Sequence, residues 1–269
     1  MKLIEQTAQK LYELTKDRPM FLHMDAIGFF HYGENIGNNI KEIIDNKLLL
    51  FNDALNLAQD LGANILIPTF SYSIENGKLN YDVISSPSEV GAATEFFRKL
   101  NPEKRTKDPI FSYLLFSNNE DLKEDLKVKD FNTFGENSII DKVYKMNGFI
   151  GSIGNVMWHP TEAHYLEKKL NVDYRYDKKF IGIIQDIDNT NINIRTIFYC
   201  RNLNYNRIAD FKPFEQYLYA NYQLSMIKIN DFKIEYIEFK KMFKLMLRKY
   251  KEDKLYFTKE DIKEYKINI

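Results

Sequence analysis

Three residues in PTEAHYLEKKL (160–170) have the types and spacing for acid–base chemistry. Pro160 suits the first helical position because it has no N–H to lose. A helix from there to about Asn171 puts Thr161, His164 and Glu167 on one face. A carboxylate one turn from a histidine can fix the imidazole tautomer and raise its basicity, as a general base for an amine or hydroxyl nucleophile requires. Ala163, Leu166 and Leu170 form a separate apolar line for the core. Spacing alone leaves another reading open, since surface helices carry many His–Glu pairs. His159 lies five residues from His164, whereas zinc would want i, i+4 spacing or several further ligands, so no metal is expected. His23 and His31 read as structural. There is no phosphate loop, nucleophile elbow or dinucleotide fingerprint.

A second segment, SSPSEVGAATEFFRKL (85–100), reads as a helix start. Ser86 is the cap, Pro87 the first helical residue, and Glu89 closes a capping box. Val90, Ala93 and Phe97 should meet the core. Ser88, Gly91 or Ala92, and Glu95 form a line along which a ligand could approach the backbone and meet a negative charge; an exposed helix face is the alternative. GSIGN (151–155) is a turn that could admit a ligand.

These residues need a scaffold, and the chain alternates helix and strand. PMFLHMD (19–25) reads as a buried strand, NKLLLFNDALNLAQDLG (46–62) as a helix ending at Gly62, and ANILIP (63–68) as the next strand. ENSIIDKVYKMNG followed by FIGSIG repeats the pattern. NIRTIFYC, LSMIKIND and FKIEYIEF are closely spaced strand candidates. The expectation is a single α/β domain over 1–269, a three-layer α/β/α arrangement with a mixed central sheet, with strands and helices from about 190 on packed on the core. Thirty-eight basic and 38 acidic side chains cancel, which argues against nucleic acid or an anionic membrane as partner. The N-terminal run reads as an amphipathic helix rather than a signal peptide, no stretch reaches the length of a membrane span, and the lone Cys200 reads as a core thiol. The expected compartment is the cytoplasm. Oligomeric state stays open, a homo-oligomer included.

Five segments in order carry more than any one of them: ILIPTFSYS (65–73), SPSEVGAATEFFRK (86–99), RTKDPIFS (105–112), FGENSIIDKV (134–143) and PTEAHYLEKKLNVDYRYDKKF (160–180). Together they resemble the aminoglycoside 3-N-acetyltransferase family over roughly residues 19 to 182. The resemblance implies an acyl-coenzyme-A-dependent N-acyltransferase using acetyl-CoA, with His164 as catalytic base and Glu167 as its orienting partner. It also points to Thr69, Ser71 and Ser112 as coenzyme contacts. Two departures stand out. Met24 and Asp25 replace the family's serines after the strand-end histidine, and Thr106 and Asp108 replace its Ser-x-His.

For the acceptor, net neutrality together with 18 Tyr and 20 Phe favours a nucleotide-linked amino sugar over a polycation, with Asp25 and Glu95 holding its amine or hydroxyls. An aminoglycoside acceptor is the alternative, and a clustered acidic pocket would reverse that order. A non-catalytic coenzyme- or sugar-binding relative is disfavoured because Thr161, His164 and Glu167 are all present.

Overall fold

The structure, a computed structural model, describes residues 2–75, 78–154 and 160–261. Helix α1 (Lys2–Thr15) leads to strand β1 (Met20–Met24), then α2 (Ile40–Leu61) to β2 (Ile65–Pro68). Helix α2 starts ahead of its apolar run because Asn39 caps it, accepting the Glu42 N–H at 2.9 Å. Gly62 ends it as read from the sequence, at φ 104°. A hairpin, β3 (Ile74–Glu75) and β4 (Lys78–Asp82), precedes α3 (Ala92–Leu100), β5 (Tyr113–Phe116) and the one-turn α4 (Glu120–Lys123). Next come β6 (Phe131–Asn132), α5 (Ile139–Lys145), β7 (Phe149–Ile153) and α6 (Ala163–Lys169). Two long strands, β8 (Arg175–Gln185) and β9 (Asn191–Arg201), lead to β10 (Arg207–Ala209) and α7 (Lys212–Ala220). Strands β11 (Ser225–Ile229) and β12 (Phe232–Glu238), helix α8 (Phe239–Glu252) and strand β13 (Thr258–Glu260) follow.

Six strands form a mixed sheet in the order β11-β12-β7-β1-β2-β5. Strand β1 runs parallel to β7 and β2, whereas β12 and β5 are antiparallel to their neighbours. Alternate residues serve opposite faces. Met20, Leu22, Ile65 and Ile67 pack with Ala8, Phe51 and Leu55 of α1 and α2. Phe21, Leu66, Ile150 and Ile237 pack with Val143, Leu166 and Met242 of α5, α6 and α8. This is the expected layered α/β arrangement with a mixed sheet.

Three local readings need correction. The run NIRTIFYC belongs to a separate five-stranded sheet, β3-β4-β8-β9-β6, because β9 pairs with β8 along its whole length. Cys200 pairs with the exposed Tyr176 on β8, so it is half-buried and not a core thiol. The helix expected from Ser86 starts at Ala92. The Glu89 N–H goes to the Phe70 carbonyl at 2.8 Å, and the Ser86 hydroxyl accepts the Asp82 N–H at 3.0 Å. Gly91, at φ 134°, turns the extended chain into the helix, a conformation that suits glycine. Among the described residues no helix is long and apolar enough to cross a membrane.

Candidate active site

The central sheet presents a polar row near the C-terminal ends of its parallel strands. His23 on β1 pairs with Ser152 on β7, and Ser152 with Glu235 on β12. Tyr113 on β5 shares this face, being packed with Phe21 and Ile150. Glu162, just ahead of α6, reaches onto the row. Its Oε2 lies 2.8 Å from His23 Nε2, and its Oε1 accepts the Tyr113 hydroxyl at 2.8 Å. Glu162 and Tyr113 are fully buried. Burial opposes ionisation of Glu162, but the pull and hydrogen bonds of His23 and Tyr113 outweigh it and hold the carboxyl below its usual range. This node ties the start of α6 to the sheet.

The helix so anchored carries His164, whose side chain keeps 20% of its surface. Its Nδ1 lies 2.6 Å from Oε2 of the buried Glu167, whose Oε1 accepts the Tyr174 hydroxyl at 3.1 Å. Arg175, the first residue of β8, places Nη2 3.2 Å from His164 Nε2 and Nε 2.8 Å from Glu167 Oε2. A guanidinium only donates, so Nε2 holds the lone pair and Nδ1 the proton. The rings of Phe134 and Phe211 stand 6.1 and 6.0 Å from the imidazole. Burial first and the Arg175 charge second push the His164 basicity down, against the pull of Glu167. For Glu167, burial is outweighed by His164, Arg175 and Tyr174, which leave the carboxyl below its usual range. The outcome is a neutral histidine in one tautomer, held by an ionised carboxylate.

The other residues singled out in the sequence have hydrogen-bond partners of their own. Thr69 and Ser112 are fully buried around Arg105: its Nε donates to Ser112 Oγ at 3.1 Å and its Nη2 to the Thr69 carbonyl at 2.8 Å. Ser71 donates to the Pro109 carbonyl at 3.0 Å. The Thr69 and Ser112 hydroxyls lie 3.1 Å apart and bond each other, so all three hydroxyls are engaged inside the protein. Asp108 serves that turn as well, accepting the N–H groups of Ile110 and Phe111, each at 3.0 Å, and the Thr133 hydroxyl. Glu95 accepts the Ser88 N–H at 2.7 Å and is clamped by Arg98 at 2.6 Å, which helps draw its pKa down to about 2 although burial works the other way. Asp25 caps the short helical turn of residues 26–31, accepting the Ile27 N–H at 3.2 Å, and stays partly exposed. Beside it Gly28 and Gly154 meet backbone to backbone. They line a cleft of about 490 Å³ with His31, Ser152, Asp231, Lys233 and Glu235. The Tyr219 hydroxyl holds Glu235 at 2.5 Å. His159 and Asn155 lie outside the described residues. Among the described residues no group of three or more His, Cys, Asp or Glu could hold a metal ion.

Sequence reasoning missed Glu162, Tyr113 and Arg175, and read His23 as structural without its partner Glu162. The only signals were a second carboxylate inside the histidine motif and an arginine within the Tyr-Arg segment that follows it.

A layered α/β scaffold that carries on α6 a neutral histidine held by a carboxylate has the geometry a general base needs. The chain belongs to the aminoglycoside 3-N-acetyltransferase family, whose model matches residues 52–251. Among solved structures it is similar to AAC-VIa bound to sisomicin, at 13% identity and TM-score 0.64, covering 93% of this chain and 97% of that one. AAC-IIIb in a binary complex with CoASH aligns at 12% identity and TM-score 0.60, over 93% and 96% of the two chains. The YokD protein from Bacillus subtilis aligns at 12% identity and TM-score 0.61, over 93% and 94%. At these identities the likeness is one of fold. A comparison with curated protein sequences finds no match.

Proposed function

We propose that this protein transfers an acetyl group from acetyl-CoA to an amino group of a polycationic acceptor of the aminoglycoside type, with His164 as general base. The observation that carries this is the neutral Nδ1–H tautomer of His164 held on Glu167 in a chain of this family. The acceptor nitrogen, unprotonated, attacks the thioester carbonyl; the C–N bond forms and the amine proton passes to His164 Nε2. The C–S bond then breaks, and the imidazolium returns that proton to the departing coenzyme A thiolate. Glu167 keeps the ring oriented and stabilises its transient positive charge.

The acceptor class expected from composition, a nucleotide-linked sugar, has no support among the similar structures, which include complexes with sisomicin and with CoASH. Local charge also favours a cation. Asp231 and Glu235 line the cleft beside Asp25, with Lys233 as the lysine among them, and a diphosphate would meet repulsion there. Thr69 and Ser112, being buried, would serve the coenzyme by holding the 106–111 turn and not by direct contact.

Thiol release from acetyl-CoA with kanamycin-type aminoglycosides and with dTDP- and UDP-linked amino sugars tests this. Turnover with an aminoglycoside, lost in His164→Ala, is the expected result. Turnover confined to nucleotide sugars would overturn the acceptor class, and an active His164→Ala would overturn the base.

A further inference from the structure

The lone pair that this mechanism needs is already occupied. The 3.2 Å contact between Arg175 Nη2 and His164 Nε2 is donated by the arginine, since a guanidinium has nothing to accept with. Glu167 requires a proton on Nδ1 and Arg175 requires a bare Nε2, so the two neighbours select the same neutral tautomer. A protonated ring would drive Nε2–H against an N–H of a full cation. An acceptor amine must reach the same lone pair, and the two nitrogens cannot share it.

Arg175 is held in a way that permits exchange. Charge-assisted hydrogen bonds run at about 2.7–2.9 Å, yet Nη2 is 3.2 Å from the imidazole and Nη1 is 3.3 Å from the Tyr199 carbonyl. The Nε–H is buried without a hydrogen bond among the described residues, although Nε lies 2.8 Å from Glu167 Oε2. The approach is too oblique for a bond, so a better-aligned partner for the guanidinium sits next to its present place.

Resting on the reading of His164 as base, we propose that Arg175 is a positioning residue that caps the His164 lone pair in the ligand-free enzyme. It gives way to the acceptor nitrogen by turning toward Glu167. The cap keeps solvent protons off the base and fixes its tautomer; after the exchange its charge stays beside Glu167 and keeps that carboxylate ionised. The groups facing His164 are few. Glu162 comes from the lead-in to its helix, Glu167 from the helix itself and Arg175 from β8, and the Phe134 and Phe211 rings pack beside the imidazole. Tyr174 and Tyr199 stand against Glu167 and Arg175. Among the described residues, removing Arg175 therefore leaves carboxylates as the only fixed charges facing the ring.

Imidazole nitrogen NMR on the ligand-free full chain, with His164→Ala to assign the signal, tests the cap without depending on activity. The wild type is expected to show the Nδ1–H tautomer and a midpoint below the ordinary histidine range. Arg175→Gln should raise that midpoint by about one unit or more, and Arg175→Lys, which keeps the charge, should restore most of the difference. In the active enzyme the acid limb of kcat/KM should move up by the same amount in Arg175→Gln. With coenzyme A and the best acceptor bound, the Nε2 signals of wild type and Arg175→Gln should converge, because the acceptor has displaced the cap in the wild type and the variant has none. Equal midpoints in the ligand-free proteins, or an Nε2–H tautomer in the wild type, would overturn the cap. A persistent difference in the ternary complex would overturn the exchange. If no acceptor turns over, the functional reading fails while the ligand-free titration still decides the cap.

Discussion

Replacing Glu162 by alanine should destabilise the protein more than any surface carboxylate substitution. The change removes the acceptor of the Tyr113 hydroxyl and the partner of His23, both at 2.8 Å. Tyr113 is wholly buried, so its hydroxyl has no water to turn to and should cost about 1–3 kcal/mol. His23 is 8% exposed and recovers little solvation. Losing the carboxylate from a site with no exposed surface adds a cavity, and the total falls in the range of about 3–5 kcal/mol found when a buried pair is broken. With an unfolding entropy of about 2.1 cal/mol/K per residue over 269 residues, that is a drop in Tm of roughly 5–9 °C by calorimetry at pH 7. Glu162→Gln keeps an acceptor for Tyr113 and should lose about 1–2 kcal/mol. The pH dependence has a definite sign. The folded-state pKa of Glu162 is depressed, so its contribution is complete above the unfolded value of about 4.3 and is lost as pH falls through the folded value. The gap between wild type and Glu162→Ala should therefore narrow below about pH 4. A Tm change under about 2 °C at pH 7, or a gap that widens on acidification, would refute this account of the node.

Two further substitutions probe the scaffold around the cleft. Lys47 is buried and donates to the carbonyls of Phe30, Tyr32 and Gly33, each at 3.0 Å, so Lys47→Ala should cost about 3 kcal/mol by urea denaturation and loosen the segment that holds Gly28. A Cβ on Gly28 would stand 2.7 Å from the Gly154 nitrogen, which forces the two backbones apart. Gly28→Ala should cost about 1–3 kcal/mol in Tm-derived stability and weaken acceptor KM before it weakens coenzyme KM.

The sequence determined whatever depends on neighbours along the chain. Gly62 ends its helix because glycine tolerates the positive φ required there, and the 164–167 spacing places His164 and Glu167 one turn apart on a helix that starts at Ala163 and not, as expected, at Pro160. Reading the order of five short motifs identified the family. Tertiary structure decided what depends on residues distant in the chain. Ser86 looked like a helix cap, but the Glu89 N–H had a stronger claim on it from Phe70. Thr69 and Ser112, 43 positions apart, are brought within 3.1 Å of each other and buried beside Arg105, which no local pattern announces. Glu162 meets His23 across 139 positions, and Arg175 reaches His164 from a strand of another sheet. Periodicity records which side of a helix faces inward, but a hydrogen-bond partner brought by a different strand leaves no periodic trace. Local spacing therefore supplied the proposed base, and packing supplied its tautomer, its anchor and the arginine proposed to cap it.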